Sequence, residues 1–157
     1  MKLKYIAGLT SLFLLAGCDV DTDSSVEPID MQSVSSYQGE FEAAVGYEGD
    51  RVFFGFDQYK VPAKDDAKLR KMVDWIKEHP GVQVNIEGHC DERGTSEYNM
   101  GLGMRRAEAM KKALERCGLD CTNVSVTSYG KERPAVPGSN EAAYAKNRRA
   151  VIVIIGD

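Results

Sequence analysis

Gly88-His-Cys-Asp-Glu-Arg-Gly-Thr-Ser-Glu-Tyr-Asn-Met-Gly-Leu-Gly-Met-Arg-Arg106 is the stretch whose reading decides the fold. It reads as a strand end, a tight polar loop and the first turns of a long helix. Upstream of it Val82, Val84 and Ile86 alternate with Gln83, Asn85 and Glu87, the period-two pattern of a half-buried strand. Continuing that phase sends Cys90 inward and His89 and Asp91 to the open side. Gly88 and Gly94 allow a tight turn or a close backbone approach. Thr95 or Ser96 supplies an N-cap, and Glu97 suits the positive end of the helix that follows.

Along that helix Tyr98, Leu102, Met110, Ala113, Leu114 and Cys117 form an apolar stripe, and Arg106 lies on it, one turn after Leu102. A guanidinium on the buried side, opposite the loop carboxylate Asp91, has two readings. One is an internal Asp91–Arg106 ion pair holding loop to helix, since buried charges are usually paired. The other is a small polar pocket for a zwitterion, with Asp91 taking an ammonium and Arg106 gripping a carboxylate in a bidentate fork.

Working outward, Arg51 to Phe56 predicts a first strand, followed by a turn over 57–60. Pro62 suits a helix entry, and Leu69, Met72, Val73 and Ile76 give a helical stripe that ends at His79-Pro80-Gly81. His79 there is a C-terminal cation or a solvated residue, not a ligand. Val124 to Ser128 alternates again as a third strand. The loop from Tyr129 to Asn140 is long enough to be functional, and a short helix is expected over 141–146. Ala150 to Ile155 is continuously apolar and so belongs at the centre of its sheet. Together these elements predict an α/β (α+β) two-layer sandwich, a mixed four-stranded sheet with helices on one face.

The 157 residues and the formal charge of −4 hide a division. Residues 19–50 hold nine acidic side chains and no Lys or Arg, whereas the chain from Arg51 onward carries 18 basic and 15 acidic ones. That surplus is too small to argue for nucleic acid, and no such binding motif occurs. Residues 1–17 read as a targeting segment, with Lys2 and Lys4 before a short apolar run too brief to span a bilayer. The segment ends Leu15-Ala16-Gly17-Cys18, which resembles a bacterial lipobox. That resemblance implies cleavage before Cys18 and acylation of Cys18, anchoring the chain in a membrane. Residues 18–50 then form an acidic flexible tether, with room for a short element between Tyr37 and Tyr47. Such a coil spans roughly 30 Å root-mean-square. Residues 51–157 form the folded domain.

Export would place the remaining cysteines in an oxidising compartment. Cys117 and Cys121 flank Gly118-Leu119-Asp120 where the helix should stop, and a chain reversal there predicts a disulfide between them. Cys90 reads as a small buried filler. Enzyme readings fare poorly. No cysteine or histidine spacing fits a metal knuckle, and His89 with Asp91 and Glu92 is a weak metal set. His89 and Cys90 point opposite ways on a strand, and Asp57 with Asp91 is the one plausible carboxylate pair for sugar hydrolysis. The expectation is a non-enzymatic protein with neither metal nor cofactor.

Residues 88–110, with Tyr129-Gly-Lys-Glu-Arg-Pro-Ala135 and Glu141-Ala-Ala-Tyr-Ala-Lys-Asn-Arg-Arg-Ala-Val151, closely resemble the peptidoglycan-associated lipoprotein family. The resemblance runs in order from about Val52 to Ile155 and implies an OmpA-C-like domain. It implies noncovalent binding to the peptidoglycan stem at meso-diaminopimelate, held by Asp91 and Arg106. Phe56, Asp57, Arg93, Asn99 and Leu102 match positions lining the family's groove. Asn147 and Arg149 match its Asn-Arg-Arg signature, with bracing of the groove as an equal alternative to ligand contact. TolB and TolA are the implied protein partners, with a role in holding the outer membrane to the wall and in cell division. A rival reading is a periplasmic protein-interaction module, with TolB as its main ligand and only incidental wall contact. Three features depart from the family. Cys90 stands where Ala or Thr is usual, and the Cys117–Cys121 pair is not a family trait. Asp19 resembles an inner-membrane retention signal, so inner-membrane placement stands beside the outer-membrane expectation.

Overall fold

The computed structural model describes residues 31–156. The targeting segment, Cys18 and Asp19 therefore lie outside the described residues. Helix α1 (Met31–Val45) is followed by β1 (Arg51–Phe53), a 3-10 turn (Ala63–Asp65), α2 (Asp66–Glu78), β2 (Gln83–His89) and α3 (Ser96–Arg116). Then come β3 (Val124–Gly130), α4 (Glu141–Asn147) and β4 (Arg149–Gly156). The sheet order is β1-β4-β2-β3, with β2 and β3 parallel and β4 antiparallel to both its neighbours. The continuously apolar last strand is indeed central.

Strand parity builds the core. Val52, Phe54, Val84, Ile86, Val124, Ala150, Ile152 and Ile154 point to one face and pack with α1, α2 and α3. Asn85 on β2 instead accepts hydrogen bonds from Ser125 and Thr127 of β3 on the opposite face. Helix α2 contributes Leu69, Met72, Val73, Trp75 and Ile76, the stripe its sequence spacing requires. Where α3 crosses the sheet, backbone meets backbone. A Cβ on Gly88 would fall 1.8 Å from the Gly103 carbonyl oxygen, and one on Gly103 would fall 2.3 Å from Ser128 Oγ. This glycine contact draws the first half of α3 down onto the end of β2, where no larger residue would allow it.

Both ends of α3 are capped as its sequence demands. Thr95, in extended conformation, accepts a hydrogen bond from the Tyr98 N–H. At the other end Gly118 has φ of 93° and its N–H donates to Glu115 O, while Leu119 N–H donates to Leu114 O. That paired arrangement closes the helix around a left-handed glycine.

Four expectations need correction. The tether does not extend through residues 31–50. Tyr37, Phe41 and Val45 recur every fourth residue and turn α1 into a packed element, with Phe41 fully buried against Trp75 at a ring separation of 5.1 Å. Burying such a ring is worth about 1.5–3 kcal/mol, which helps to hold the helix on the domain. The first strand stops at Phe53, because the chain turns away through Gly55 and reaches a left-handed φ of 55° at Asp57. The predicted Cys117–Cys121 disulfide is not made, and both thiols are free. Cys121 Sγ lies 4.0 Å from Lys111 O, back along α3, while the intervening Leu119 is turned into the core. Finally, His89 and Asp91 are buried rather than open, covered by the loops described next.

Candidate functional site

All seven residues singled out as ligand-binding line one cavity of about 240 Å³. Phe56 and Asp57 come from the loop after β1, Asp91 and Arg93 from the loop after β2, and Asn99, Leu102 and Arg106 from α3. The cavity opens where the loops after β1 and β2 meet the first half of α3, at the C-terminal end of β2.

Arg106 is the cavity's floor and is only 1 % exposed. Its Nε donates to Gln58 O at 2.8 Å, Nη1 to His89 O at 2.8 Å and Nη2 to Gly55 O at 3.1 Å. The Phe54 ring lies 5.3 Å from its guanidinium carbon. Burial pulls the Arg106 pKa below its ordinary value, with Cys90 and Asp91 acting the other way. The internal Asp91–Arg106 ion pair is absent among the described residues. Instead three main-chain carbonyls hold the guanidinium, which has no carboxylate bridge.

Asp91 takes its partners elsewhere. Its carboxylate accepts from Arg93 N at 3.1 Å, from Arg93 Nε at 3.1 Å and Nη2 at 2.6 Å, and from Arg148 Nη1 at 3.3 Å. Burial alone would push its pKa up. The hydrogen bonds from Arg93 and Arg148 outweigh that and hold the carboxyl below its ordinary value. A low pKa keeps Asp91 ionised, the opposite of what a general acid for sugar hydrolysis requires. The Arg93 guanidinium carbon also sits 4.2 Å from the Phe56 ring centre and 4.4 Å from that of Tyr144. Asn99 Nδ2 fixes the Arg93 carbonyl at 2.7 Å, so α3 sets the path of the loop that carries Asp91 and Arg93.

Around this centre the supporting parts separate by role. Asn147 binds Ala135 N, Val136 N and Val136 O through its amide, bracing the loop after β3. Arg149 bonds Asn147 O and Arg133 O, so it too braces the structure instead of entering the cavity. Cys90 is packed inward as expected, its Sγ 3.4 Å from Asn99 O, and burial raises its pKa. His89 stacks on Tyr129 and Glu92 accepts from Tyr144 OH, so His89, Asp91 and Glu92 do not converge as a metal set. His79 stacks on Trp75 at 3.9 Å and bonds Trp75 O.

Sequence reasoning missed Arg148. It precedes β4, donates to Phe54 O at 2.9 Å and bridges Asp91 to Glu141. No local spacing announces that role, because Asp91 lies 57 residues away and Phe54 94. Tyr98, read as part of the buried stripe, is instead half-exposed at the cavity mouth and its hydroxyl donates to Asp57. The left-handed backbone of Asp57 is held by the structure that makes this contact.

A scan of family models matches residues 53–148 to the OmpA family. Among curated proteins, the chain is 37% identical over 151 residues to the peptidoglycan-associated lipoprotein of Pasteurella multocida, covering 96% of this chain and 95% of that one. It is 41% identical over 108 residues to the protein of the same name from Brucella melitensis, covering 69% and 64%. Among solved structures, the peptidoglycan-associated lipoprotein of Burkholderia pseudomallei superposes with a TM-score of 0.65 at 42% identity, over 68% of this chain and 90% of that one. The C-terminal domain of Helicobacter pylori MotB superposes with a TM-score of 0.63 at 23% identity, over 69% and 85%, a likeness of fold alone.

Proposed function

The chain belongs to the OmpA family, among its peptidoglycan-associated lipoproteins, and from that premise we propose that it binds the peptide stem of peptidoglycan noncovalently at meso-diaminopimelate. The far end of that residue carries an ammonium and a carboxylate on one carbon. Arg106 carries the reading. A guanidinium has five N–H donors, and three nitrogens here each give one to a carbonyl. Two donors remain, one on each terminal nitrogen, a fork matched to a carboxylate. Asp91 receives the ammonium, which takes over hydrogen bonds now supplied by Arg93. Leu102 and Phe56 flank the methylene chain.

On this reading Cys18 carries lipid and the acidic segment up to residue 30 links anchor to domain. No helix among the described residues is long and apolar enough to cross a membrane. The assembled protein would tie the outer membrane to the wall without catalysing a reaction, with TolB and TolA as partners and a part in cell division. Asp19 leaves the inner membrane as the alternative destination.

The test is co-sedimentation of the detergent-solubilised full chain with purified sacculi, in competition with a free meso-diaminopimelate peptide. Retention by wild type, lost in Asp91→Ala and Arg106→Ala, supports the reading. Equal retention by folded variants would move the site elsewhere. Were TolB binding lost in the same variants while wall binding survived, a protein-interaction module would be the better description.

A further inference from the structure

Beside the cavity, and sharing Asp57 with it, runs a second groove of about 850 Å³ between the segment 58–61 and the outward side of α3. Its lining is predominantly basic: Lys60, Arg105, Lys112 and Arg116 against Asp57 and Glu108. Arg105 stands nearest the divide. It follows the helix one position before Arg106, so one side chain is turned into the floor of the cavity and the next into the groove. Its guanidinium carbon lies 5.4 Å from the Tyr59 ring centre and 6.0 Å from that of Tyr98. It takes part in none of the salt bridges found among the described residues. Tyr98, hydrogen-bonded to Asp57, forms the low wall between the two spaces.

Building on the proposed stem-peptide reading, we propose that this groove is a second subsite, in which Arg105 reads a free carboxylate on the stem residue next to the diamino acid. Because the cavity and the groove share Asp57, a peptide whose diamino acid sits in the cavity passes its next residue over the Tyr98–Asp57 wall toward Arg105. What waits there is a cation already flanked by two aromatic rings, an orientation suited to a planar carboxylate. The same neighbour in amidated form offers no charge to the groove. The subsite thus discriminates the free acid from its amide, a distinction the zwitterion pocket itself cannot make.

The experiment compares two soluble muropeptides that differ only in having a free carboxylate or a carboxamide on the residue preceding the diamino acid. Their affinities for the detergent-solubilised full chain are measured at low and moderate salt. The expected preference for the acid is about three- to five-fold, the size of a solvent-exposed charge pair, and shrinks as salt rises. In Arg105→Gln, an exposed position that the fold tolerates, both peptides still bind and the preference disappears. Equal affinity of wild type for the two peptides, or a preference that survives Arg105→Gln, overturns this subsite alone. Failure of wild type to bind either peptide overturns it together with the stem-peptide reading.

Discussion

Arg106 and Arg148 are both buried guanidiniums that reach the loop after β1, one from α3 and the other from the α4–β4 junction, and they are held differently. Arg148 donates to Phe54 O and bridges two carboxylates, Asp91 and Glu141. Arg106 donates to Gly55, Gln58 and His89 carbonyls and bridges none. Both therefore position the loop with three of their five N–H groups, but only Arg106 has no carboxylate partner to offset its charge. Burying a charge without a counter-ion is costly, and the carboxylate proposed to bind at Arg106 would offset a cost that Arg148 does not carry. The difference sets Arg148, already neutralised within the fold, apart from Arg106, to which the proposed reading assigns the ligand's carboxylate.

Exchanging the two kinds of arginine sharpens that contrast most. Arg106→Ala takes the guanidinium away from the Gly55, Gln58 and His89 carbonyls and removes the proposed carboxylate's anchor. Removing one side of a buried charged hydrogen-bond pair costs about 2–5 kcal/mol, so peptide binding should fall on the order of 100-fold. Part of that loss comes with stability, which Arg106→Lys helps to separate. A lysine keeps the charge but has no planar fork, so it should bind well below wild type while losing less thermal stability than Ala. Full binding by Arg106→Lys, measured by titration calorimetry, would mean that charge alone suffices and the fork is incidental.

Arg148→Gln should behave the other way. Asp91 loses one of its two arginine partners and the shorter amide reaches Phe54 O less well, for a stability loss of about 1–3 kcal/mol in a denaturant melt. Affinity for the diamino-acid peptide should stay within about three-fold of wild type, because the arriving ammonium meets one competitor fewer at Asp91. A collapse of binding in a folded Arg148→Gln protein, comparable with that of Arg106→Ala, would break the distinction between the two arginines.

Acid provides a subtler probe of the same centre. The folded Asp91 carboxyl is held below its ordinary pKa, so its contribution is fully present above the unfolded value of about 3.9 and is lost as pH falls through the lower folded one. Binding and Asp91-dependent stability should therefore be flat from pH 7 to about 5 and decline only in stronger acid. In Arg93→Gln, which removes the first of the hydrogen-bonding causes, the decline should begin at higher pH. An unchanged acid limb in that variant would show that Arg93 does not set the ionisation of Asp91.

How much of this was legible in the sequence depended on how local each signal is. Arg106 was visible because a charge on an apolar helical stripe is anomalous within a single turn. The inward Cys90 followed from strand alternation, and the central place of β4 from an unbroken apolar run. Arg148 was invisible because its meaning lies in partners 57 and 94 residues away. Helix α1 was hidden by composition: its three inward residues, Tyr37, Phe41 and Val45, are sparse among acidic, Ser and Gly residues that read as a tether. The packing of Phe41 on Trp75, a tertiary gain, outweighed the weak local preference. The exposed Tyr98 misled because the stripe begins before the helix has fully settled onto the sheet.

The C-terminal end of α3 offers the smallest expected effect and the most direct comparison with the first half of the same helix. Near Ser96 the helix lines the cavity with Asn99, Leu102 and Arg106; near Arg116 it closes through the Gly118 cap, with Cys117 and Cys121 unpaired. Burial raises the Cys121 pKa to about 11, which keeps its sulfur as the unreactive thiol at neutral pH. Alkylation of the unfolded chain without reductant should therefore label Cys90, Cys117 and Cys121, and prior reduction should not increase the count. Cys121→Ser should change peptide affinity by less than about two-fold, since independent sites so far apart behave additively. A rise in labelled thiols after reduction would show that the oxidised pair forms after all. A matching loss of affinity in Cys121→Ser would show that the cap end and the cavity end of α3 are mechanically coupled.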